Sequence, residues 1–276
     1  MCKSCWELIA KADDDEFLDS LKLTYVERKL LEELYKQGED RIMEILELQG
    51  KALQDAIAEL SEDALGDIGE LGNVLLALHT SDVFSVLFEE AVQEAFEPLF
   101  DLAGESELLE LDDEKIWNTG NEAAKGFVKE IRSLVPDMNQ SSTDMLLRSF
   151  EKAIEEGNTP SERALLVQEI SAIAATGEDG PFSMQRAQRI SRTMSTAAAN
   201  CGKLEGWKQS AIAKGKKWRS SAGTRTRKTH RKANGQVVDL DQPFKVGNSK
   251  LMYPGDPAGE AKEIIHCRCT MQLVLD

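Results

Sequence analysis

Aromatic residues are scarce, 6% of the 276 residues, as in helices built on Leu, Ala and Glu. Only three histidines are present, which leaves little general-base capacity. No apolar run reaches the ~18 residues that a helix needs to cross a bilayer. The opening stretch MCKSCWELIAKADDDE has no apolar segment and soon turns acidic, so no secretory signal is read there and a soluble chain with no membrane partner is expected. The five cysteines (2, 5, 201, 267 and 269) are odd in number and clustered, unlike a secreted disulfide framework. Reduced thiols or metal ligands are expected instead. The chain has no P-loop, G-x-G-x-x-G or H-E-x-x-H, and none of Ser195, Ser210, Ser220 or Ser221 sits in a G-x-S-x-G elbow.

What is present is enough apolar material for a proper core, 41% of residues, and charge distributed very unevenly. The net charge is −16. Residues 200–276 hold 15 Lys and Arg against 7 Asp and Glu, whereas residues 1–199 hold 18 against 42. Such asymmetry implies two regions with different partners.

The first part reads as helices. Residues 2–12 suit a short helix, and Asp15 suits the cap of the next, whose free N–H groups its carboxylate can accept. From Phe17, apolar residues recur at i, i+3 and i+4 through Leu31, Leu34, Ile42, Leu46, Leu53 and Ile57. The pattern gives one long helix, or two broken near Gly38 or Gly50. Residues 61–80 form another, in which Gly66, Gly69 and Gly72 suggest close backbone approach; His79 is read as a packed or last-turn residue. Asp82–Leu102 is amphipathic, with Pro98 expected to kink or end it. Gly104–Asp113 reads as an acidic linker, Asp113–Leu134 as a helix stopped by Pro136, and Ser141–Glu156 as a helix closed by Gly157-Asn158. Thr159-Pro160-Ser161-Glu162 is a capping box with Pro at the first helical position. A loop over Gly177–Pro181 precedes a helix opened by Ser183 and running to about Asn200.

Beyond Cys201-Gly202, Gly, Pro, Ser and Asn become frequent. Short strand-like runs are expected at Lys217–Arg219, Gln236–Leu240, Phe244–Val246, Lys250–Tyr253 and Met271–Leu275. Asn234-Gly235 is the strongest hairpin signal, and Gly247-Asn248 and Pro254-Gly255-Asp256-Pro257 read as further turns. The expected fold is mainly α with a small C-terminal α+β module: an acidic helical body over residues 1–180, then a basic module of short strands and turns over 181–276.

That module holds the chemistry. Arg219, Arg225, Arg227, Lys228, Arg231 and Lys232 form a basic patch suited to phosphate or to an acidic protein partner. Trp207 and Trp218 are candidates for stacking on bases, although Trp218 reads better as core. Cys267 and Cys269, at i and i+2, face the same way on a strand. With His230, and Cys201 or water as a fourth ligand, they suit tetrahedral zinc. Alternatively they are buried thiols packing the module, with the histidine bonding a turn. A clasp that adds Cys2 and Cys5 is a further arrangement. Asp239, Asp241 and Asp256 with His230 make a conceivable nuclease set, but Pro254-Gly255-Asp256-Pro257 is more economically a turn.

The order and spacing of Arg192-Thr193, Trp218, Arg225-Thr226-Arg227-Lys228-Thr229-His230, Gly235-Gln236, Pro243-Phe244, Tyr253-Pro254-Gly255-Asp256-Pro257 and Cys267-Arg268-Cys269 resembles the phage head morphogenesis family, the Mu F-like minor head proteins, over about residues 183–273. Three positions depart from the family pattern. Met194 stands where a glutamate is expected, Ala222-Gly223-Thr224 lacks an acid, and His266 replaces an asparagine. The missing acids weigh against an enzyme. The resemblance implies a minor head protein that associates with the portal and with head or scaffold proteins, in the virion near packaged double-stranded DNA and in the host cytoplasm during assembly. The alternatives are a cytoplasmic DNA- or protein-binding adaptor and, with only Thr270–Asp276 after the module and so less expected, a phage-encoded toxin or nuclease.

Overall fold

Periodic burial organises the first helix, α1 (Tyr25–Ala58), in which Leu31, Leu34, Ile42, Ile45, Leu46, Leu53 and Ile57 form the buried stripe. It runs unbroken through Gly38 and Gly50. The protein is described by a computed structural model that covers residues 25–275 other than 62, 80–81, 113, 119, 121, 177–179, 222 and 224. The helix expected over 2–12, the Asp15 cap, the Cys2/Cys5 pair and most of the 177–181 loop lie outside the described residues.

After a short 3-10 turn at Ala64–Gly66 come α2 (Ile68–His79), α3 (Asp82–Ala91), a π-helical turn at Val92–Phe96, α4 (Glu97–Leu111), α5 (Glu122–Arg132), α6 (Val135–Glu155), α7 (Pro160–Thr176) and α8 (Met184–Ser210). The module then runs β1 (Gly215–Arg219), α9 (Lys228–Ala233), β2 (Val237–Asp239), β3 (Phe244–Val246), β4 (Ser249–Leu251), α10 (Ala261–Ile264) and β5 (Thr270–Val274). The fold is therefore mainly α with a small C-terminal α+β module. No single helix among the described residues is long and apolar enough to cross a membrane.

Two compact units interleave along the chain. One comprises residues 38–92 and 131–191. Here α2 packs on α6, and Gln49 donates to Asn139 Oδ1 at 3.2 Å in the interior. Arg163 donates to the carbonyls of Leu65 and Asn158, and Arg132 pairs with Glu89. The capping box of α7 forms as expected: Thr159 N–H donates to Glu162 Oε2 at 2.6 Å and Glu162 N–H to Thr159 Oγ1 at 3.3 Å.

The other unit comprises 25–37, 93–130 and 192–275 of the described chain. Its helical part is built around α4 and α8. Phe100 stacks on Phe127 at 5.5 Å and tilts against Trp117 at 5.8 Å. A Cβ on Gly202 would collide with the Phe100 carbonyl, and one on Gly206 with the Gly104 carbonyl. Glu107 answers two buried groups from α8: Lys203 Nζ at 2.9 Å and Trp207 Nε1 at 2.6 Å.

This contact explains where the sequence reading of helices fails. Gly104–Asp113 is not a linker but mostly the second half of α4, because Gly104 makes room for the Trp117 ring. Likewise α8 does not end near Asn200: Gly202 and Gly206 sit inside it as contact surface rather than as a stop. Pro136 starts α6 at a first-turn position that needs no N–H donor, whereas Pro98 does not end its helix, which runs on from α3 through the π-helical turn at Val92–Phe96 into α4.

In the module, β1 is the centre of an antiparallel sheet of order β2-β1-β5, with Trp218 opposite Met271 and Lys217 opposite Val237. The strands β3 and β4 form a separate hairpin with Val246 opposite Ser249, so Gly247-Asn248 is its two-residue turn, Gly247 having φ +60. Asn234-Gly235 is not a hairpin turn. It closes α9, with Asn234 N–H bonded to the His230 carbonyl, and α9 itself occupies the connection between β1 and β2.

Candidate functional site

Trp218 projects from β1 into the module interior and is fully buried. Its ring meets His230 edge-on at 5.7 Å and Phe244 at 5.3 Å. Both Trp218 and Trp207 are core residues, at 0% and 1% exposure, so neither is presented to nucleic-acid bases. This corrects the stacking reading of Trp207.

His230 is carried on α9 and is 2% exposed. Its Nε2 lies 3.1 Å from Glu263 Oε2, and Thr229 Oγ1 donates to the same oxygen at 2.8 Å. Its Nδ1 lies 3.3 Å from Cys269 Sγ and 3.7 Å from Cys267 Sγ. Glu263, Cys267 and Cys269 are all buried. The segment that presents the two cysteines is pinned to α8. Thr196 Oγ1 donates to the Cys267 carbonyl at 2.9 Å, and Asn200 Nδ2 to the Cys269 carbonyl at 3.2 Å. Just before it, His266 takes φ +56 and its N–H donates to Thr193 Oγ1. His266 is not part of the cluster.

The two thiols share their titration unequally. The Cys267 thiol donates to the Cys269 sulfur, which holds Cys267 well above its usual range. Cys269, bonded to Cys267 and in contact with His230, is pulled down to about 5. A thiolate, an imidazole and a carboxylate in a row resemble a hydrolase triad. At 2% exposure for Cys267, Cys269 and His230, however, the row faces the core and no substrate can reach the sulfur.

Cys201 lies elsewhere. It interacts with Tyr253, and burial pushes its thiol up to about 12. Tyr253 donates to Glu130 Oε2 at 3.0 Å, and burial raises the Glu130 carboxyl. The turn Pro254-Gly255-Asp256-Pro257 is structural. Gly255, at φ +86, presses on the α8 backbone, where a Cβ would stand 3.0 Å from Ala197 N. Asp256 accepts from Met252 N–H at 2.6 Å and Ala258 N–H at 2.9 Å. The nuclease set of Asp239, Asp241, Asp256 and His230 is not brought together. Among the described residues, His230, Cys267 and Cys269 are the group whose donor atoms converge, all within 4.8 Å of one another.

Of the basic residues, Arg219, Arg225, Lys228, Arg231 and Lys232 are exposed. Arg227 is half-buried and its guanidinium donates to the Ile265 carbonyl. Burial lowers Arg225 slightly, with Arg268 adding to it. Sequence reasoning missed Glu263, which lies 33 residues from His230; its one signal is an acid in the short helical turn before Cys-x-Cys.

The resemblance drawn from these motifs is met by comparison. Residues 144–272 match the family model described as Phage Mu protein F like protein, so the match begins some 40 residues before the stretch that carries the motifs. The chain is 25% identical to the uncharacterized protein YqbB of Bacillus subtilis (strain 168), over 97% of this chain and 88% of that one. It is 28% identical to the minor head protein GP7 of Bacillus phage SPP1, over 49% of this chain and 51% of that protein. It is 31% identical to the NAD(+)–arginine ADP-ribosyltransferase EFV of Enterococcus faecalis (strain ATCC 700802 / V583), over 102 residues that make up 36% of this chain and 21% of the enzyme. No solved structure matches.

Proposed function

We propose that this chain, whose residues 144–272 match the family model described as Phage Mu protein F like protein, is a phage minor head protein that acts in head morphogenesis at the portal. The observation that carries this reading is the family match, supported by the similarity to a minor head protein over about half of each chain. On this reading the protein is a low-copy component of the virion, sited by the portal. Its exposed cations, Arg219, Arg225, Lys228, Arg231 and Lys232, lie along packaged DNA or an acidic head partner. Mass spectrometry of purified virions tests it. A few copies per particle, together with co-purification with the portal protein, is the expected result. Absence from both virions and portal complexes overturns it.

The protein acts without catalysis on this reading. The similarity to the ADP-ribosyltransferase covers 36% of this chain and about a fifth of that enzyme. Incubating the full chain with NAD+ and an arginine-containing acceptor protein checks this. No nicotinamide release above the uncatalysed background is expected, and release that scales with protein concentration sinks the non-enzyme reading.

A further inference from the structure

The donor atoms of His230, Cys267 and Cys269 match a tetrahedral metal site in spacing. Zinc sits ~2.3 Å from thiolate sulfur and ~2.0–2.1 Å from imidazole nitrogen, so a tetrahedron has N···S edges of about 3.6 Å and an S···S edge of about 3.8 Å. The observed Nδ1···Sγ distances, 3.3 and 3.7 Å, fall on either side of the first value. All three donor atoms lie within 4.8 Å of one another. A metal would require only a small adjustment of this geometry.

The surroundings orient the donors. Glu263 accepts from Thr229 and stands beside His230 Nε2, which assigns the ring proton to Nε2 and turns the Nδ1 lone pair toward the sulfurs. A carboxylate behind a histidine in this way fixes the tautomer and strengthens the ring as a ligand. The edge of Trp218 holds the imidazole from the side. The carbonyl bonds from Thr196 and Asn200 fix the backbone of both cysteines, so the two sulfurs are aimed before any metal arrives. Two sulfurs and one nitrogen favour zinc over the oxygen-seeking magnesium or calcium.

We propose that His230, Cys267 and Cys269 bind one zinc ion, with Glu263 as the residue that positions His230 and a water completing the coordination. The ion clips α9 to the segment leading into β5. Those elements are separated by more than 30 residues in the sequence. Its role is to hold the module together, in keeping with the burial of all three donors.

The full-length chain, purified from zinc-supplemented cells, is assayed for metal by mass spectrometry and for release to a chromogenic chelator. About one zinc per chain is expected, retained in Cys201→Ser and lost from Cys269→Ser and His230→Ala. Glu263→Gln should keep the site but weaken it by roughly 10- to 100-fold. Because the cysteine and histidine variants can fail to fold, the metal-stripped wild type is also titrated with cobalt(II). A sulfur-to-cobalt charge-transfer band with intense tetrahedral visible bands is expected, and zinc should quench both. A natively helical wild type that holds no zinc and gives no such cobalt spectrum overturns the proposal, as does zinc that survives loss of either cysteine.

Discussion

Lys216 is a fully buried ammonium on β1, and its burial is met by three local partners. Its Nζ donates to the Leu240 carbonyl at 2.7 Å and the Met252 carbonyl at 2.8 Å, and stands 5.4 Å from the centre of the Phe244 ring. Burial nevertheless pulls the group from its ordinary 10.5 down to about 8. Below that value the amine is charged in both folded and unfolded chains, and the burial penalty is complete. Between about 8 and 10.5 the unfolded chain holds the extra proton, so stability rises with pH across that window. Denaturant unfolding from pH 7.5 to 10 should show this gain, at most about 3 kcal/mol, in wild type and not in Lys216→Met. Thiol and tyrosine titrations occur in both proteins and cancel in the comparison; an identical pH slope in the two refutes the assignment. Nothing local in the sequence marks Lys216, which reads as one cation in a basic run, nor Glu263. Their roles come from partners that folding brings across 24 to 36 residues. By contrast the Asp256 turn was legible, because a carboxylate between Gly and Pro bonds amides that are its own neighbours in sequence.

Among the helices, local signals were read correctly wherever the partner was also local. Thr159 and Glu162 close their capping box within four residues, and Thr159→Ala should cost about 1 kcal/mol in thermal or denaturant unfolding. Glycine and proline misled because one residue type serves opposite ends. Pro136 opens a helix, Pro98 follows a π-helical turn without ending its helix, and Gly202 and Gly206 lie within a helix where α4 comes too close for a side chain. A matched pair of substitutions separates these uses. Gly126, inside α5, has nothing within 4 Å of a would-be Cβ, so Gly126→Ala should stabilise by about 0.5–1 kcal/mol through helix propensity alone. Gly202→Ala places a methyl against the Phe100 carbonyl and should destabilise by about 2 kcal/mol or more. If both changes have the same sign in chemical denaturation, the α4–α8 contact is not what these glycines serve. The hairpin signal failed for a related reason. Asn234-Gly235 has the positive φ it advertised, +82 at Gly235, but spends it on ending α9.

Over the whole molecule the charge division decides what can touch a nucleic acid. The chain carries −16, so at low ionic strength it is repelled from DNA as a body. The net positive charge falls on residues 200–276, where exposed Arg225, Lys228, Arg231 and Lys232 lie on or next to the short helix α9. Two opposed electrostatic terms with different ranges give a specific signature. Repulsion by the distant acids is screened first as salt rises, whereas direct phosphate contacts weaken by counterion release, with a slope of about −0.9 per contact in log K against log salt. Binding of the full chain to a duplex of arbitrary sequence should therefore be weak and steeply salt-dependent at moderate ionic strength. Reversing all four cations to glutamate should make that slope shallower by about three to four and remove preference for DNA over an uncharged polymer. Fluorescence anisotropy across a salt series reads both quantities. A slope unchanged by the reversal would place the DNA contact elsewhere and leave these cations for an acidic protein partner. In that case the same variant should lose salt-sensitive co-purification with the portal protein while its interaction with DNA stays as it was.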